Sequence, residues 1–66
     1  MYVYEALLSQ RESIERVLAA RQTITRLGGS VKLAPPTVTG MVLVTLILPP
    51  HVRPEEILPG LPFYPV

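Results

Sequence analysis

Met41-Val42-Leu43-Val44-Thr45-Leu46-Ile47-Leu48 is the stretch on which the fold turns. It carries no charge, and apolar side chains dominate both alternating sets, Met41, Leu43, Thr45, Ile47 and Val42, Val44, Leu46, Leu48. Successive side chains of a strand point to opposite faces, so a run that is apolar on both sets reads as the central strand of a sheet, buried on two sides. The run is far short of the roughly 20 residues that cross a bilayer, so no membrane span is expected.

Working outward toward the N-terminus, Thr37 to Gly40 supplies a turn and Ser30 to Ala34 a short strand, with Val31 and Leu33 inward and Lys32 outward. Pro35 and Pro36 stop that strand, and proline at this position belongs to a sheet edge. Before it, Val17, Leu18, Ala20, Ile24 and Leu27 keep helical spacing while Glu12, Glu15, Arg16, Ala19, Gln22, Thr23 and Arg26 point the other way. The predicted helix runs from Gln10 to Leu27. Ser9 and Glu12 are spaced as a capping box at its start, and Gly28-Gly29 can take the left-handed conformation that closes its end. Tyr2 to Leu8 alternates loosely and is rich in β-formers, which predicts a first strand.

These elements compose a single α+β domain over residues 1–48, in the order β-α-β-β. With the third strand between the other two, the spatial order is one-three-two, the first half of a ferredoxin-like fold. One helix covers one face of that sheet. Either of the two alternating sets of the central strand is left facing away from it, and no second long helix exists to cover that side.

Residues 49–66 form a proline-rich C-terminal extension. Proline at a first helical position followed by acids predicts one helical turn at Pro54-Glu55-Glu56-Ile57-Leu58, which Pro59-Gly60 ends. Leu61 to Val66 is extended and apolar, so it is expected to dock, either across this chain or onto a partner.

Size sets the functional argument. A chain of 66 residues buries only about 60% of the surface that its unfolded form exposes, and such domains are usually stapled by disulfides, a metal or association. There is no cysteine and only one histidine, His51, so association is the staple that remains. The composition, 48% hydrophobic and 17% charged, leaves apolar side chains for a surface that a partner would cover.

Other function classes find no support in the pattern. The net charge is +1 with basic residues dispersed, which argues against nucleic acid as a partner. Catalysis needs converging polar groups, and His51, Glu5, Glu55 and Glu56 form no paired motif, so neither an enzyme nor a cofactor is expected. Gly28-Gly29 follows a helix, whereas phosphate loops place glycine before one. The first residues show no export signal and cysteine is absent, which together suggest a cytoplasmic protein.

The candidate partner-binding residues are Arg21, Leu61, Phe63, Tyr64 and Val66. Helical spacing sets Arg21 among the apolar positions, where its stem covers apolar surface, or its head pairs with Glu5 or with a partner's carboxylate. Phe63 and Tyr64 either pack with Tyr2 and Tyr4 as a satellite core or act as interface anchors.

Two stretches, Tyr2-Val3-Tyr4-Glu5 and Arg21-Gln22-Thr23-Ile24-Thr25-Arg26-Leu27-Gly28-Gly29-Ser30-Val31, resemble the CpcD-like domain of small phycobilisome linker polypeptides. In that family a first strand leads to a helix that ends in an arginine, a hydrophobe and two glycines, followed by a β-branched strand. The resemblance implies a non-enzymatic linker that sits in or caps a ring of phycobiliproteins on the cytoplasmic face of the thylakoid and binds no pigment covalently. The family's longer polar connection between strand and helix is missing here, and the tail from Pro49 has no counterpart in it. Two expectations follow: a structural or adaptor protein of a larger assembly, or a self-associating homo-oligomeric module, with a small-molecule sensor as a variant of the second.

Overall fold

The central run forms a strand, Val42–Leu48, with two antiparallel neighbours. The computed structural model describes all residues, Met1 to Val66. In chain order its elements are β1 (Tyr2–Leu8), α1 (Arg11–Arg26), β2 (Ser30–Leu33), β3 (Val42–Leu48), α2 (Pro54–Ile57) and β4 (Tyr64–Pro65). They make a small α+β unit of one long helix against a four-stranded antiparallel sheet with the order β2-β3-β1-β4.

The β1–β3 register pairs Tyr2 with Leu48, Tyr4 with Leu46, Ala6 with Val44 and Leu8 with Val42. These rows lie on the α1 side, where Ala6, Leu8, Val42, Val44, Leu46 and Leu48 are buried beneath Val17 and Ile24. The even-numbered set of β3 is thus the covered one. The odd-numbered set, Leu43, Thr45 and Ile47, is only half-buried.

Three local expectations need correction. No capping box forms: α1 starts one residue later, with Gln10 in an extended conformation as N-cap and no side-chain cap hydrogen bond. With Gln10 as the cap, the third helical position is Ser13, so Ser9 and Glu12 are out of register for reciprocal capping. Leu18 and Leu27, expected on the apolar face, are exposed. The buried stripe is centred on Val17 and Ile24, and one residue further along a helix is about 100° around its axis, which turns Leu18 away from the sheet. Glu5 makes no ion pair with Arg21: it shares a row with Thr45, on the sheet face opposite Val44 and Leu46 and hence opposite α1.

The helix end is a Schellman cap. Gly28 has φ +89° and its N–H donates to the Thr25 carbonyl at 3.0 Å, while the Gly29 N–H donates to the Ile24 carbonyl at 2.9 Å. This satisfies carbonyls the helix leaves free and turns the chain straight into β2. Gly29 also lies against β3: a Cβ there would collide with the Ile47 carbonyl oxygen and stand 3.2 Å from Ile24 Cγ2 and 3.3 Å from Leu48 Cδ2.

The extension after β3 packs back on the same chain. Val52, Pro54 and Leu58 are buried, with Leu61 and Phe63 partly so against the core. Arg16 of α1 ties the segment down, its guanidinium Nη2 donating to the Pro59 carbonyl at 2.7 Å. The tail then forms β4, a strand not anticipated from the sequence, through pairs Tyr4 with Pro65 and Glu5 with Tyr64 and a 2.9 Å bond from the Val66 N–H to the Val3 carbonyl. No helix is long and apolar enough to cross a membrane.

Candidate functional site

The uncovered face of the sheet is built by the rows that alternate with the core rows. Val3 stands opposite Ile47, Glu5 opposite Thr45 and Leu7 opposite Leu43, while on the other side of β3 Ser30 stands opposite Ile47 and Lys32 opposite Thr45. The β2–β3 ladder continues one residue further, where the Ala34 N–H donates to the Leu43 carbonyl at 3.0 Å. That adds Ala34 to the Leu7–Leu43 row. Tyr64 extends the Glu5 row beyond β1.

The face is therefore an apolar band along β1 and β3, crossed by one polar row that reads Tyr64, Glu5, Thr45, Lys32. Glu5 and Lys32 are its only charges, and they stand on opposite sides of Thr45. Leu7 is 45% exposed and Val66, bonded to Val3 at the margin, 73%. No helix or loop lies over these positions, and exposed apolar side chains in contiguous rows are the usual mark of an interaction surface.

The sheet edges are poor sites for adding another strand. β2 has four residues and runs into Pro35-Pro36, and β4 has two residues, one of them Pro65, with Pro62 just before it. Short, proline-flanked edges disfavour strand addition, and the face offers the larger apolar surface of this sheet.

The five expected partner-binding residues divide. Tyr64 stands on the uncovered face and Val66 at its margin, both exposed. Leu61 and Phe63 pack against the chain's own core, and Phe63 lines one concavity with Tyr2, Tyr4 and Pro65. Arg21 is exposed on α1, on the other side of the sheet, and the one salt bridge in the molecule is the surface pair Arg53–Glu55 at 3.8 Å. Sequence reasoning missed Val3, Glu5, Leu7 and Lys32 as site residues. Alternation in Tyr2 to Leu8 marks two faces, yet only register with β3 shows which one stays bare.

His51 is exposed beside α2 and lines an open groove of about 500 Å³ with Thr23, Leu27 and Glu56. No three His, Cys, Asp or Glu side chains cluster in a metal-binding arrangement. Compared with family models, curated proteins and solved structures, the chain matches none of them.

Proposed function

We propose that this chain is a non-enzymatic structural module that works by protein association through the uncovered sheet face, and that the occupant of the face is a second copy of the chain. The observation that carries the reading is the Val3–Ile47 and Leu7–Leu43 rows, which no element of the chain covers. β1-α1-β2-β3 reads as half of a ferredoxin-like unit, and a second sheet takes the place of the missing cover. Burying such a face supplies the stabilisation that a domain of this size otherwise lacks. In plan the four strands make a face on the order of 300 to 400 Å², from a strand spacing of about 4.8 Å and a rise of about 3.4 Å. Two such faces together come to roughly 600 to 800 Å², below the roughly 1,200 Å² of a standard-size interface, so the association expected is a weak, concentration-dependent dimer.

Sedimentation of the wild-type chain and of Leu43→Asp tests the reading. A concentration-dependent dimer that Leu43→Asp converts to a monomer with unchanged circular dichroism is the expected result. A wild-type monomer at all concentrations, or a dimer indifferent to Leu43→Asp, would overturn it.

A second reading, the linker-type adaptor, is favoured by the two stretches that resemble the CpcD-like domain, which fall on β1 and on the run from the end of α1 into β2. In it the chain joins a larger assembly such as a ring of phycobiliproteins, and co-sedimentation with purified rings is its test.

A further inference from the structure

The uncovered face is self-complementary in size and in charge about the line of β3. Next to β3 on the β1 side the rows carry Val3, Glu5 and Leu7; on the β2 side the same rows carry Ser30, Lys32 and Ala34. Large faces small in the first and third rows, and acid faces base in the middle one.

We infer that two copies pack sheet to sheet about a two-fold axis that lies midway between the sheets, parallel to β3, which sets Glu5 of each copy over Lys32 of the other. This rests on the docking face proposed above and adds the occupant's pose. A two-fold axis along the strands exchanges the β1 and β2 flanks of the facing sheet. Val3 then lies over Ser30, Leu7 over Ala34, and the central Leu43, Thr45 and Ile47 each meet their own copies. A two-fold axis across the strands would instead place Glu5 over Glu5 and Lys32 over Lys32, and like charges in contact select against that arrangement.

The dimensions agree. Aligned sheets pack about 10 Å apart with strands within about 30° of each other, and a glutamate and a lysine together span about that distance. Each pair sits beside β2, an edge strand, so water still reaches it and the cost of fully burying two charges is avoided. Tyr64, one strand beyond Glu5, overhangs the free edge of the facing β2 and widens the contact. The interface is isologous and closes at two copies, leaving both helices outside.

Charge reversal tests the pose. Glu5→Lys and Lys32→Glu are made singly and together in the full chain, and the dissociation constants are measured by sedimentation equilibrium with circular dichroism as the folding control. Each single reversal should weaken the homodimer at least tenfold. An equimolar mixture of the two single variants should form a heterodimer, because every pair across the interface is again opposite in sign, and the double variant should recover the wild-type dimer. A wild-type dimer that Leu43→Asp breaks but Glu5→Lys leaves intact would overturn this pose while sparing the docking face. A dimer that neither substitution weakens would overturn both, and so would a wild-type chain that stays monomeric.

Discussion

Glu5 and Lys32 stand on the same face of the sheet, one strand to either side of Thr45 in a single cross-strand row. They belong to β1 and β2, far apart in sequence, and only β3 between them sets the separation. In the dimer proposed above each acid meets the other copy's base at the rim, where the attraction is sensitive to ions. The Debye length falls from about 10 Å at 0.1 M salt to about 3 Å at 1 M. Raising sodium chloride across that range should weaken the wild-type dimer about two- to tenfold in sedimentation, and should strengthen neither Glu5→Lys nor Lys32→Glu to wild-type level.

Leu46 and Leu43 are three residues apart on one strand yet face opposite ways. Leu46 is fully buried in the core and Leu43 half-buried on the uncovered face. Truncating a buried leucine removes its transfer energy and leaves a cavity, so Leu46→Ala should cost about 2–5 kcal/mol, enough to unfold a domain this small at room temperature. Leu43→Ala should cost the isolated monomer under about 1 kcal/mol. Urea titration at concentrations below the dimer range separates the two.

The adjacent glycines 28 and 29 should respond differently to alanine. Gly28 needs a positive φ but has open space around its Cβ position, so Gly28→Ala should cost about 1 kcal/mol, the ordinary penalty for that backbone region. At Gly29 the added methyl meets the Ile47 carbonyl oxygen, a backbone atom of the central strand. Relief requires α1 to move off the sheet, and Gly29→Ala should cost about 2–3 kcal/mol or more. The same denaturant titrations order them, with the reverse order arguing against the close approach of this turn to β3.

Deleting residues 61–66 should destabilise the fold itself. Leu61 and Phe63 pack against the core and β4 covers the outer edge of β1 from Val3 to Glu5, so their loss exposes apolar side chains and backbone groups left without a strand partner. A large drop in thermal midpoint with increased aggregation is expected. The pair Tyr64→Ser and Val66→Ser, which alters only exposed side chains, should leave the midpoint within a few degrees of wild type.

Read by itself, the sequence determined the elements other than β4 and the central place of Met41–Leu48, because local chemistry writes them directly. Apolar side chains on both sets mark an interior strand, although only its even-numbered face proves to be covered, Gly28-Gly29 closes a helix, and Pro54 with two acids opens a helical turn. Absence of cysteine and excess apolar composition point to association as the expected staple. Tertiary structure alone decided which face is bare, since a strand's two faces differ only by what its neighbours bring, and a shift of one residue in register exchanges them. It also decided that the tail closes on its own chain: Leu61 and Phe63 sit on the core, and Val66 bonds to Val3. The helix cap, the sides taken by Leu18 and Glu5, and the acid–base row through Thr45 all depend on distances between segments remote along the chain, to which local propensity is blind.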